Sequence, residues 1–257
     1  MRRLLALLLL LPAAAQAQSL RAQYEVHAAG MVILELEARF DLGPANYGVE
    51  TRLRTRGLAA TFVSGEQVSR VEGGWNGSAA LPARYLSEGT WRGTLRRIAL
   101  DWQERTPRVL ELTPPETHER EPVPEAMRRG TTDVLSALAS LARRVGAERH
   151  CDIGAQVFDG RRVSEYAARS EGWEAIPRWR GGWSGPALRC GFEGRLVAGF
   201  RHDQDRAQAA ETQRGTAWIA APYPGAPAIP VRIDMRTRWF GTATAVLLRA
   251  EPVQGGR

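Results

Sequence analysis

The sequence predicts a mainly β protein: a large curved antiparallel sheet that closes into a barrel-like or sandwich domain and carries one amphipathic helix at about 131–145. Three observations predict it. Apolar and polar residues alternate with a period of two over several long stretches, as a sheet with one face on a core and one in water requires. Short turn signals containing Gly, Asn or Asp separate these stretches at hairpin spacing. A single segment abandons period two for steps of three and four residues. The 257 residues fit one large β unit, with 44% hydrophobic and 25% charged residues, which excludes wholesale disorder and collagen-like structure.

The chain opens on an address. Arg2 and Arg3 form a basic n-region, Leu4 to Leu11 is an apolar run, and Ala15-Gln16-Ala17 reads as an A-x-A cleavage site. Residues 1–17 are therefore expected to be a signal peptide cleaved after Ala17, leaving a single β-rich domain over 18–257 that starts at Gln18 and resides in the periplasm. The apolar run is too short for a stable anchor, so no stable membrane insertion is expected.

The first long strand runs Leu34, Leu36, Ala38, Phe40, Leu42 against Glu35, Glu37, Arg39, Asp41. Gly43, Pro44 and Asn46 mark a turn, and Tyr47, Val49, Leu53 then oppose Glu50, Arg52, Arg54, Arg56. Arg92-Gly93 separates runs containing Trp91 and Leu95 and reads as a hairpin. Ile98, Leu100 and Trp102 oppose Arg97, Ala99 and Asp101. Thr113 to Glu125, rich in Pro and Glu, reads as an exposed connection.

The helix comes next. Val134, Leu135, Leu138, Leu141, Ala142 and Val145 recur at helical steps, Thr132 or Asp133 can cap the start, Arg143 and Arg144 suit the negative end, and Gly146 can close it in a left-handed conformation. Its wide apolar stripe predicts packing on the sheet or plugging of one end of a barrel. Asp159-Gly160 between Val157-Phe158 and Val163 then predicts a type I′ hairpin. Arg201 to Arg214 is polar, either a loop or a marginal helix, and Pro222 to Pro230 is a Pro-rich loop. Val231, Ile233, Met235 and Trp239 against Arg232, Asp234, Arg236 and Arg238 complete the strand pattern.

Cys151 and Cys190 form an even pair in an exported chain, which favours one structural disulfide over two buried thiols; no CxxC motif points to redox catalysis. All 35 basic residues are Arg, and removing Arg2 and Arg3 leaves 33 against 28 acidic residues, a net charge of +5. The arginines are scattered along strand-like segments, not gathered into the concentrated face that nucleic acid requires, so no nucleic-acid partner is expected. A diffuse positive field suits a lipid, lipopolysaccharide or other anionic envelope component.

The histidines at 27, 118, 150 and 202 form no zinc-type pair, and His202-Asp203-Gln204-Asp205 lacks the Gly and terminal Glu of a calcium loop, so no metal and no cofactor are expected. Gly182-Trp183-Ser184-Gly185-Pro186 departs from a nucleophile elbow at Pro186, and no catalytic residues are assigned. Trp173, Trp179 and Trp183, interleaved with Arg178 and Arg180, are candidate ligand-binding residues, because aromatic faces beside guanidinium groups can hold a sugar, a lipid headgroup or an acidic glycan; ordinary sheet and core packing is the alternative. Leu36, Phe40, Leu53, Leu100 and Trp102 are the candidate lining of any cavity beside the helix, an acyl chain being the natural occupant of an open one.

Taken in order, Tyr24-Glu25-Val26, Leu81-Pro82-Ala83-Arg84-Tyr85, Asp133-Val134-Leu135-Ser136-Ala137-Leu138, Phe158-Asp159-Gly160-Arg161-Arg162 and Ile229-Pro230-Val231-Arg232-Ile233 resemble the bacterial domain-of-unknown-function 3108 family over nearly the whole mature chain. Val134 stands where that family usually has Pro. The resemblance implies an exported, β-rich envelope protein and carries over no catalytic residues. The leading expectation is a non-enzymatic periplasmic binding or scaffolding protein; the rivals are a hydrolase with dispersed catalytic residues and an outer-membrane barrel.

Overall fold

The computed structural model describes residues 19–57, 60, 64–115, 119–237 and 241–253. The expected cleavage site and Gln18, with His118 and Trp239, lie outside the described residues. Thirteen strands form one antiparallel sheet: β1 (Ser19–Ala28), β2 (Met31–Leu42), β3 (Asn46–Thr55), β4 (Gly65–Asn76), β5 (Ala79–Trp91), β6 (Thr94–Gln103), β7 (Thr106–Thr113), β8 (Ile153–Phe158), β9 (Val163–Ile176), β10 (Gly185–Ala198), β11 (Gln213–Ala220), β12 (Ile229–Thr237) and β13 (Gly241–Pro252). The spatial order is β7-β6-β5-β4-β3-β2-β1-β13-β12-β11-β10-β9-β8, so the first and last strands pair in the middle and two mid-chain strands form the edges.

Tight turns make neighbours of consecutive strands. Ala29-Gly30 (φ 48° and 80°), Arg92-Gly93 (51° and 75°) and Glu104-Arg105 (47° and 65°) each join two strands with both central residues at positive φ, the geometry whose twist matches paired strands. Asp159-Gly160 differs from the type I′ expectation. The loop between β8 and β9 has four residues, only Gly160 (φ 91°) is left-handed, and the Asp159 carboxylate accepts from the Arg161 and Arg162 amides at 3.0 Å, folding the turn around its own side chain. Register shifts at Gln23/Tyr24, Glu72/Gly73, Ala99/Leu100 and Arg189/Cys190 bend the sheet into a nearly closed barrel.

The expected helix is α2 (Val134–Glu148); the single-turn helices α1 (Glu125–Arg128) and α3 (Arg206–Ala209) precede it and follow β10, respectively. α2 lies against β3, β4, β5, β8 and β11. On its buried face Leu135 and Ala139 join an interior that includes Phe40, Val49, Leu100, Phe158 and Leu247, while Val145 packs in a second cluster with Leu188, Ile219 and the two cysteines. Asp133, fully buried, caps it by accepting from the amides of Leu135 (2.9 Å) and Ser136 (3.0 Å) and from the Ser136 hydroxyl. The helix also bonds to the barrel wall: Ser136 Oγ shares a 2.6 Å hydrogen bond with the Tyr47 hydroxyl, and the Ala80 amide donates to Ser140 Oγ at 2.8 Å. The helix closes on Arg149 (φ 59°), not on Gly146 as the sequence suggested, because Val145 remains buried and carries the helix another turn.

The seam between β7 and β8 is laced by the segment before the helix. The Gly130 amide donates to the Arg105 carbonyl (2.9 Å), the Thr132 amide to the Gln156 carbonyl (2.9 Å), and the Phe158 amide to the Thr132 carbonyl (2.8 Å). Cys151 and Cys190 form a disulfide that ties the chain just after α2 to β10.

Candidate functional site

The predicted aromatic site is dispersed. Trp173 on β9 lies 44% exposed beneath the Arg149 guanidinium (4.4 Å). Trp179 meets the His27 ring edge-on at 5.1 Å, with Arg180 at 5.1 Å and Arg232 at 5.7 Å over its face, while Arg178 is exposed. Trp183 packs on the interior and donates from its ring N–H to the Pro222 carbonyl at 3.2 Å. Each of the three tryptophans thus contacts a different neighbour. Of the candidate cavity lining, Phe40 and Leu100 are fully buried in the packed interior, Leu36 and Trp102 pack against it, and Leu53 is half-buried. Trp102 donates to the Thr131 carbonyl at 2.9 Å.

A different set converges at the end of the barrel where β4 begins, β5 ends and β6 begins. A cleft of about 600 Å³ opens there. One wall is the interior-facing row of Gln67, Tyr85, Ser87 and Ile98. Arg96 stands two residues before Ile98 on the same face of β6, and the rest of the lining includes Arg120, Arg161, Arg162 and Arg201, with Glu66, Glu119 and Asp159.

Close approaches that only glycine permits bring the arginine segments together. A Cβ on Gly160 would lie 2.5 Å from Ile98 Cγ2, so the 159–162 turn can press onto β6 only with glycine there. A Cβ on Gly199 (φ 78°) would lie 2.2 Å from the Arg161 carbonyl, so glycine also lets the chain after β10 pass the same turn. Arg120 and Arg201 form an isolated antiparallel bridge, flanked by hydrogen bonds from the Glu121 amide to the Phe200 carbonyl (2.9 Å) and the His202 amide to the Glu119 carbonyl (3.2 Å). Directly opposed residues in such a pair project to the same side.

Most of the carboxylates are already engaged. Arg96 holds Glu119 through two hydrogen bonds of 2.9 and 3.3 Å, Arg162 meets Asp159 at 2.7 Å, Arg201 meets Asp203 at 2.7 Å, and Glu66 is reached by Arg54 and Arg52. Arg96 beside it holds the Glu119 carboxyl below the usual carboxylate range. Arg120 donates to a neutral acceptor, the Gly199 carbonyl at 2.8 Å, and Arg161 donates to the Thr113 and Pro114 carbonyls at 2.8 and 2.7 Å. Burial first, and then repulsion from Arg162 and Arg201, push the Arg120 guanidinium below its ordinary pKa against the pull of Asp159 and Glu119.

The β4–β5 row is a hydrogen-bonding surface. Gln67 Nε2 donates to Ser87 Oγ (2.8 Å) and Ser69 Oγ (3.2 Å), and the two serine hydroxyls share a 2.9 Å hydrogen bond. Burial raises the pKa of the Tyr85 phenol beside them, which therefore stays a neutral donor. Trp91 (40% exposed) and Val134 (48% exposed) add apolar surface to the rim. The residues that could have signalled this site in the sequence are Arg161 and Arg162, directly after Asp159-Gly160; Arg120 and Arg201 lie in segments read as connection and polar loop.

Among the described residues no group of three metal-ligating side chains occurs. Asp203 pairs with Arg201, and Asp205 caps α3 by accepting from the Gln208 amide at 2.7 Å. No helix among the described residues is long and apolar enough to cross a membrane.

Fold and mouth together define a β-barrel-like protein with an internal helix and an arginine-lined opening. The chain belongs to the DUF3108 family, proteins of unknown function, whose sequence profile matches residues 21–248. It is also similar to a solved structure, the β-barrel-like protein of the domain-of-unknown-function 1849 group from Brucella abortus. That likeness has a TM-score of 0.55 and 14% identity, and covers 92% of this chain and 98% of that one; at this identity it shows the fold alone. Among curated proteins, none matches the sequence.

Proposed function

We propose that this is a non-enzymatic periplasmic binding or scaffolding protein of the bacterial envelope, and that its arginine-lined mouth holds an anionic amphiphile such as a lipid or lipopolysaccharide component. The observation that carries this reading is the cleft itself: five guanidinium groups and the hydroxyls of Tyr85 and Ser87 line it, with Trp91 and Val134 exposed among them. Guanidinium forks fit phosphate and carboxylate oxygens, and the exposed apolar groups suit the first carbons of an attached chain. Binding is favoured over hydrolysis because the Ser87 hydroxyl is engaged by Ser69 and Gln67.

Native mass spectrometry of protein released from the periplasm without detergent tests the reading. It is expected to give a chain whose mass begins at Gln18 and which retains a noncovalent anionic amphiphile, lost on substitution of Arg120. A chain with no such adduct, even after incubation with envelope lipid extract, would overturn it.

A further inference from the structure

Going beyond that reading, we infer that the mouth end of the barrel is a docking face for an anionic lipid surface. Met31, Trp91, Leu95 and Met235 are its apolar anchors, and Arg92 and Arg236 its headgroup contacts. Docking of this kind is peripheral and needs no spanning segment.

The exposed tips of the strands are the first ground. Strands alternate in direction, so the β1–β2, β5–β6 and β12–β13 connections all emerge at the end where the cleft opens. Met31 starts β2, Trp91 ends β5, Leu95 stands near the start of β6, and Met235 near the end of β12. All four are large apolar side chains, 40–57% exposed. At Gly30 and Gly93, in the first two turns, no atom lies within 4 Å of the place of the missing side chain, so these turns stand clear of the rest of the chain. Trp91 is already ordered: its ring lies over Gly65, where a Cβ would come within 2.6 Å of Cε3. An anchor held in advance loses less rotamer freedom on binding.

Spacing and charge are the second ground, and they favour lipid over a protein partner. Along the sheet β5 and β2 are three strands apart, and so are β2 and β12, about 14 Å in each case at the usual spacing. Anchors set apart in this way do not make the contiguous buried core of a protein interface, whereas a lipid surface accepts them one by one. Tryptophan suits the headgroup level, being an apolar ring with one polar N–H. Arg92 directly follows Trp91 and Arg236 directly follows Met235; both are exposed and, among the described residues, in no ion pair. Near an anionic surface each such arginine is worth about fivefold in affinity. The opposite end is built differently. There Trp75 and Arg143 donate to the Gly43 carbonyl, Ser78 bonds Glu148, and the Gly130 amide donates to the Arg105 carbonyl, so polar contacts to α2 and the segment before it tie the turns down.

Vesicle sedimentation with the mature protein tests the inference. Vesicles of equimolar phosphatidylglycerol and phosphatidylcholine are expected to carry the protein down, and vesicles of phosphatidylcholine alone to leave it in solution. Leu95→Asp should weaken binding by about tenfold or more at unchanged melting temperature, while Leu81→Asp, exposed at the opposite end, should be neutral. Arg92→Gln and Arg236→Gln should each cost about fivefold, and Arg178→Gln at the opposite end nothing. If Leu95→Asp does not fold, Met31→Asp carries the same expectation. Equal recruitment by the two vesicles, recruitment by neither, or equal losses in Leu95→Asp and Leu81→Asp overturns the inference.

The docking face and the cleft fail separately. Leu95 does not line the cleft, so the Leu95→Asp protein should still retain the amphiphile in native mass spectrometry. Vesicle docking by a protein that retains no amphiphile supports the docking face and overturns the binding reading. A retained amphiphile without vesicle recruitment does the reverse.

Discussion

Replacing Asp133 probes the join between the helix and the barrel. The Asp133→Ala protein loses the acceptor for two amides and for the Ser136 hydroxyl, at a position with no solvent exposure to replace it. Loss of a helix cap costs about 1 kcal/mol, and a buried amide left without a partner adds about 1–3 kcal/mol. Relief from burying a carboxylate offsets part of this, leaving a net loss of about 2–3 kcal/mol and a fall in Tm of about 4–12 °C for a chain of this size. Asp133→Asn keeps a carbonyl oxygen for the amides and should cost less than about 1 kcal/mol.

The two variants also differ in pH dependence. Burial raises the Asp133 carboxyl above its ordinary value, against the pull of the hydrogen bonds from Ser136 and Leu135. A raised folded-state value contributes stability that is complete below the unfolded value of about 3.9 and is lost as pH rises through the folded value. Asp133→Asn, which does not titrate, should therefore gain on the wild type as pH rises across that window. Urea unfolding monitored by circular dichroism at several pH values measures both effects. An Asn variant as damaged as the Ala variant, or an Asn deficit that widens with rising pH, would refute the reasoning.

Leu100→Trp and Phe40→Trp overfill a packed interior, so each should lose about 1–3 kcal/mol in urea unfolding; an unchanged midpoint with reduced hydrophobic-dye uptake would instead reveal open space beside the helix. Replacing Cys151 and Cys190 together by Ser should lower stability by up to about 4 kcal/mol, the chain-entropy value for their separation of 39 residues, and thiol labelling of unreduced, denatured wild type should give no adducts. Two labelled cysteines in the wild type would contradict the bridge.

The fold was legible where pattern is local. Alternation at Leu34–Leu42 and Tyr47–Arg56 identified β2 and β3 because both have one core face and one wet face. The cap at Asp133 was readable for the same local reason: a short acceptor stands immediately before a helical stripe. The other end was not, since Gly146 sits inside the helix with Ala228 Cβ near the place of its missing side chain, and packing rather than glycine sets the stop. The hairpin at Asp159-Gly160 was found but not its shape, because Asp159 caps its own turn and lengthens the loop to four residues.

The mouth was harder to read. Tryptophan and arginine clustering near 173–183 drew attention by proximity in sequence, yet those side chains turn to different neighbours. Arg96, Arg120, Arg161 and Arg201 come from four separate segments that meet through a bridge, a turn and two close glycine approaches. No period or spacing records a pairing made only by closure of the sheet.

Hydrogen–deuterium exchange with and without dihexanoyl phosphatidic acid, a soluble anionic amphiphile, tests the central claim most directly, because it reports where the ligand sits. The account predicts slowed exchange at 119–121, 159–162 and 199–202, and along the start of β4 and the end of β5. Protection confined to 173–183, or binding that leaves the arginine segments unchanged, would contradict it.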